Sequence, residues 1–120
     1  MTADTASIGT VLVVEIIARA GDFAPVHGAP AYAEQLRTAD LSFGTYSLPA
    51  GGADTQSPHG EDEIYVVVSG RATFWTPTQS AHVARGSAIF VPAREPHRFI
   101  DVTEDLTTLV FFGPPEGSRA

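Results

Sequence analysis

The sequence contains no cysteine and no lysine. The first absence excludes disulfides, thiolate metal ligands and cysteine nucleophiles. The second excludes Schiff-base chemistry through a lysine amine. The 7 cationic side chains are all arginine, against 14 Asp and Glu, for a net charge of −7. Such a surface repels phosphate backbones, and no basic stripe offsets it, so no nucleic-acid partner is expected. Long apolar runs are also missing. The longest, Val11 to Ala18, is interrupted by Glu15 and falls well short of the ~20 apolar residues a membrane helix needs. No basic region precedes that run, so no signal peptide and no membrane partner are expected, and the cytoplasm is the expected location.

The 120 residues are 43% hydrophobic, with 11 Gly and 9 Pro as punctuation, which fits one domain. Its core is expected over about residues 10–112, with flexible termini at 1–9 and 113–120. Thr10 to Ala18 reads as a strand because Val11, Val13, Val14, Ile16 and Ile17 are β-branched. It is apolar on nearly both faces, which suits a strand that also meets a partner subunit, so a homodimer is expected. Ala31 to Arg37 has the composition of two helical turns. Leu41 to Leu48 reads as a strand, and residues 49–58 as a turn-rich loop. Glu63 to Val68 and Arg71 to Thr76 read as a hairpin turning at Ser69-Gly70. Further strands are expected at Ala81 to Arg85, Ala88 to Val91, His97 to Val102 and Leu106 to Phe112, with a turn at Thr103 to Asp105. Seven or eight short strands at regular spacing predict an all-β sandwich or barrel.

Two stretches carry the chemistry. Ser57 to Gly70, SPHGEDEIYVVVSG, sets His59, Glu61, Asp62 and Glu63 directly before a β-branched run. Gly86 to Asp101, GSAIFVPAREPHRFID, supplies His97 at the head of another. Two imidazoles and one carboxylate form the ligand set of many non-haem iron and related sites. Side chains two apart on a strand share a face, so Ser57, His59, Glu61 and Glu63 have common parity. Four residues of straight strand span about 13 Å, too far for His59 and Glu63 to share one ion, so the chain must bend; Gly60 is placed for that.

In these two stretches the sequence resembles the cupin superfamily. Gly51, His59, Glu63 and Gly70 match the opening glycine, second histidine, glutamate and closing glycine of its first motif. Gly86, Pro92 and His97 match the glycine, proline and histidine of its second. The resemblance covers roughly residues 41–112. It implies a double-stranded β-helix, or jelly-roll barrel, with a divalent transition metal (Fe, Mn, Ni or Zn) held by His59, Glu63 and His97. Three positions depart from the pattern: Ser57 replaces the first histidine, Arg94 a glycine and Asp101 an asparagine. Ser57 is expected to point into the site and leave a coordination position open.

Glu63 and Glu61 are the candidate catalytic carboxylates. Burial statistics favour Glu61 and Asp62 as a solvated acidic rim. Asp101 is either an acceptor orienting His97 or a strand-end charge, and Arg94 either a clamp for a substrate carboxylate or a loop arginine. His27 and His82 read as surface residues. Three functions remain open at this point. One is a metal-dependent enzyme on a small organic substrate, of dioxygenase, isomerase or lyase type. Another is a module that binds or senses a small ligand. The third is a metal-free acid–base epimerase pairing histidine with carboxylate.

Overall fold

The computed structural model describes residues 13–119. Alternation of small, β-branched and aromatic side chains yields six strands: β1 (Ala31–Arg37), β2 (Ser42–Leu48), β3 (Asp62–Trp75), β4 (Ser80–Ala84), β5 (Ala88–Val91) and β6 (Arg98–Gly113). All pairings are antiparallel, in the order β1-β2-β6-β3-β4, with β5 also on β3. This is the all-β double-stranded β-helix expected from the sequence. Among the described residues there is no helix, and so none long and apolar enough to cross a membrane.

Two strands are twice the expected length. The hairpin predicted at Ser69-Gly70 does not form: β3 runs straight through both residues, and β6 likewise runs through the turn predicted at Thr103 to Asp105. Each long strand serves both layers of the barrel. The first half of β3 lies between β5 and the end of β6, and its second half between β4 and the start of β6. Register shifts between Val67 and Thr73 mark where the pair bends.

Gly70 makes the bend possible. Its φ is +98°, and a Cβ there would overlap the backbone of Asp105 and Leu106. Glycine is thus required twice, for the dihedral and for the close approach. Gly70→Ala is expected to cost about 2–5 kcal/mol of stability, from backbone strain plus overpacking. Urea denaturation measures it, and a loss below about 0.5 kcal/mol, typical of surface changes, would show that the bend does not depend on this contact.

The predicted helix at 31–37 is strand β1. Its residues favour helix locally, but β2 offers an open edge, and pairing along Ala31–Arg37 satisfies both backbones. Tyr32 then packs edge-on to Phe112 at 6.2 Å and fills the space that Gly44 leaves in β2. Of the strand predicted at Thr10 to Ala18, residues 10–12 lie outside the described residues. Residues 13–17 form no strand, and Val13, Val14 and Ile16 are exposed. Further on, Gly21 and Ala24 donate to the Thr45 and Ser47 hydroxyls, which ties this segment across β2.

The core is built from inward-facing residues of both long strands, with Tyr65, Val67, Phe74, Phe99, Leu106 and Val110 at its centre, closed by Tyr46 and Leu48 of β2. Aromatic edges meet faces throughout it: Tyr65 contacts Phe99 at 5.0 Å and Phe74 contacts Phe99 at 5.1 Å.

Candidate functional site

Strand parity carries Glu63 inward on the same face as Tyr65 and Val67. His97 stands one residue before β6, on the inward side with Phe99. The register pairs Glu63 with both Val91 and Phe112, deep in the sheet. The two side chains are each 1% exposed, and His97 Nε2 lies 3.1 Å from Glu63 Oε1. The contact is close in distance but poorly aligned: neither oxygen of Glu63 has a hydrogen-bond partner among the described residues. An ionised carboxylate buried in this way costs several kcal/mol unless a cation stands beside it.

His97 is held from every side. Its Nδ1–H donates to the Glu95 carbonyl at 2.7 Å, which leaves Nε2 facing Glu63 and the Tyr65 hydroxyl, 3.2 Å away. The ring stacks on Phe74 at 5.8 Å. Burial by itself would lower the His97 pKa, but Glu63 at Nε2 and the Glu95 carbonyl at Nδ1 outweigh it and raise it above the ordinary imidazole value. Burial also pushes the Tyr65 phenol well up, reinforced by the Glu63 carboxylate, so this hydroxyl stays protonated. Gln56 donates to the Tyr65 oxygen at 3.2 Å, which leaves the phenolic hydrogen free for His97 Nε2.

His59 is the third member. It reaches the barrel from the loop before β3, where its carbonyl accepts the Arg94 amide at 2.6 Å. Its ring packs on Phe112 at 4.9 Å and stands 6.5 Å, centre to centre, from that of His97. His59 Nε2 is buried with no hydrogen-bond partner among the described residues. The structure therefore brings His59, Glu63 and His97 to one end of the barrel. Among the described residues, no three His, Asp or Glu side chains stand at metal-ligation spacing. Glu63 and His97 are close enough: two donors at about 2.1 Å from one ion and a right angle apart are separated by about 3 Å. His59 must move inward to complete the set. The donor chemistry fits a divalent transition metal, and the orphaned atoms of Glu63 and His59 are those such an ion would use.

The sequence matches the Cupin domain family over residues 44–112. The chain belongs to that family. This cupin is 49% identical over 86 residues to an uncharacterized protein of Streptomyces coelicolor, covering 72% of this chain and 82% of the relative. Among solved structures it resembles the TT1209 protein of Thermus thermophilus, with a TM-score of 0.68 and 21% identity over 85% of this chain and 97% of that one. It also resembles the DMSP lyase DddQ of Ruegeria pomeroyi, with a TM-score of 0.64 and 20% identity over 71% of this chain and 47% of that one. At such identities the likeness is one of fold.

Several sequence expectations change at the site. Ser57 is exposed, and the neighbouring Gln56 sends its side chain inward instead. Glu61 is no acidic rim. It is 1% exposed, and its two oxygens accept the backbone amides of Gly117 and Arg119 at 3.1 and 2.7 Å. That leaves it little freedom to act as a base, and it fastens a tail that was expected to be flexible. Asp62 is exposed as expected, accepting the Ala93 amide at 2.9 Å. Asp101 is exposed with φ +49°, and the acceptor on His97 is the Glu95 carbonyl, not Asp101. Arg94 is exposed with φ +71°.

Sequence reasoning missed Asp54. This buried carboxylate accepts the Tyr46 hydroxyl and the Phe99 amide, both at 2.9 Å, and the Gln56 side-chain amide at 3.1 Å. It anchors the loop that carries Gln56 to Tyr65. Nothing in the turn-rich sequence of residues 49–58 distinguishes it from a surface aspartate.

Proposed function

We propose that this cupin binds a divalent transition metal through His59, Glu63 and His97 and acts on a small organic molecule as a metal-dependent enzyme. The observation that supports this best is the Glu63 carboxylate, buried and without a hydrogen-bond partner among the described residues, 3.1 Å from His97 Nε2. A metal there would supply Lewis-acid polarisation of a substrate oxygen or activation of dioxygen. The protein's own contribution is positional. Glu95 and Phe74 fix the His97 ring, while Tyr65, kept protonated, offers a hydroxyl donor beside Nε2. Phe74 also lines a cleft of about 300 Å³ with Thr76, Ile89, Val91 and Glu95, so site and cleft share a wall. The DMSP lyase DddQ shares this fold, so the barrel is one that admits an enzymatic use. Elemental analysis of protein purified without chelator, or reconstituted with Fe, Mn, Ni and Zn in turn, is expected to approach one metal per chain. Less than about a tenth of an equivalent with all four would overturn the reading.

A second reading is favoured by the 3.2 Å contact between the Tyr65 hydroxyl and His97 Nε2. Glu63, His97 and Tyr65 together could move a proton to and from a substrate without a metal. Activity that survives full chelation would select it.

A homodimer is also proposed. Val13, Val14 and Ile16 are 70%, 91% and 91% exposed. Phe111, Ile64 and Phe90 lie side by side across β6, β3 and β5, each more than a third exposed. Two apolar surfaces of this kind on one molecule favour self-association. Light scattering at micromolar concentration is expected to return twice the chain mass, and Val14→Asp with Ile16→Asp to return one. A monomeric wild type would contradict it.

A further inference from the structure

After β6 the chain does not leave the barrel. It turns back over the loop that carries His59, and four hydrogen bonds and one close backbone approach fix its course. The buried Glu61 carboxylate accepts the Gly117 and Arg119 amides. The Ser42 hydroxyl, fully buried in β2, accepts the Glu116 amide at 2.8 Å. Arg37 of β1 donates to the Glu116 carbonyl at 2.7 Å. Gly60 lies directly beneath the Arg119 carbonyl, where any Cβ would overlap it. A carboxylate sealed in the barrel wall and accepting two backbone amides is an anchor, and charge-assisted bonds of this kind are the strong ones.

The anchored segment presents one side chain to the site. Glu116 Oε2 stands 3.8 Å from His59 Nδ1, with the Glu116 side chain one-third exposed. The other nitrogen of the same ring, Nε2, is buried and has no hydrogen-bond partner among the described residues. A neutral imidazole carries its hydrogen on the nitrogen that faces an acceptor, and the lone pair then lies on the other. An anionic oxygen on the Nδ1 side therefore selects the tautomer whose Nε2 lone pair is available inside the barrel.

We propose that the C-terminal segment Pro114–Arg119 is a working part of the site, in which Glu116 is a positioning residue for His59. Glu61 is its tether. The Glu116 carboxylate, 3.8 Å from Nδ1 and so beyond hydrogen-bond distance, biases the hydrogen toward Nδ1 electrostatically and leaves the lone pair on the buried Nε2. The effect on metal affinity rests on the function proposed above; the effect on the tautomer does not.

The test has two arms. In the first, nitrogen-15 correlation spectra of the metal-free protein, recorded at a pH where its imidazoles are neutral, report the His59 tautomer. Wild type is expected to carry the hydrogen on Nδ1, Glu116→Ala to lose that preference, and Glu116→Gln, which keeps an acceptor oxygen, to retain it. The second arm is competition titration of Zn²⁺ against a chelator. Glu116→Ala is expected to weaken binding about tenfold, the lower end of the range for groups that orient a metal-bound histidine. Glu116→Gln is expected to weaken it less. An unchanged tautomer and unchanged affinity in Glu116→Ala would overturn the proposal and leave the metal reading standing. A wild type that takes up no metal, yet shows the tautomer shift in Glu116→Ala, would count against the metal reading and for the positioning role.

Discussion

Protein with His97 replaced by Ala is expected to take up less than a tenth of an equivalent of metal under conditions that load the wild type, while keeping its β-sheet circular dichroism. His97 is the best-held member of the site. Glu95, Tyr65, Phe74 and Glu63 all touch it, and its side chain is 1% exposed. Deleting the ring removes one of three donors and the group nearest Glu63. The remaining pair, His59 and Glu63, comes from one chain segment whose histidine has yet to move into place. Affinity should therefore fall by more than 100-fold, beyond what loss of an orienting group alone would cause. The cavity left behind is expected to cost about 2–4 kcal/mol. His97→Gln keeps most of the volume and separates packing from ligation. Retention of metal by both variants would show that the ion lies elsewhere.

Asp54→Ala is expected to destabilise the fold by about 3–5 kcal/mol. The carboxylate accepts from the Tyr46 hydroxyl, the Phe99 amide and the Gln56 side chain. Tyr46 and Phe99 are core residues, 5% and 1% exposed, so their donors would lose their acceptor where water does not readily replace it. Each buried donor left unpaired costs about 1–3 kcal/mol. The loop of residues 49–58 should loosen with it and free Gln56 from Tyr65. Denaturant midpoints at unchanged slope measure the loss. A change below about 1 kcal/mol would mean that the loop relaxes and lets water reach both donors.

Sequence alone determined the class of this protein and two of its central residues. Short strand-like runs at regular spacing predicted an all-β fold, and the resemblance carried by Gly51, His59, Glu63, Gly70, Gly86, Pro92 and His97 implied a cupin barrel, in which Glu63 and His97 face inward. Those features are local, because side-chain parity on a strand follows from backbone geometry. The tertiary structure decided the rest. Ser69-Gly70 carries the composition of a turn, yet a glycine that reverses the chain and one that lets a neighbouring backbone approach look alike in sequence. Only the presence of Asp105 and Leu106 against Gly70 distinguishes them. Ala31–Arg37 has helical composition and became a strand because β2 had an edge to pair. Asp54, Glu61 and Glu116 acquire their roles from partners remote in sequence: the Phe99 amide for Asp54, the Gly117 and Arg119 amides for Glu61, and the His59 ring for Glu116. Whether a carboxylate is a solvated charge or a buried anchor depends on which backbone amides the fold delivers to it, and those amides carry no residue-specific signature in the sequence.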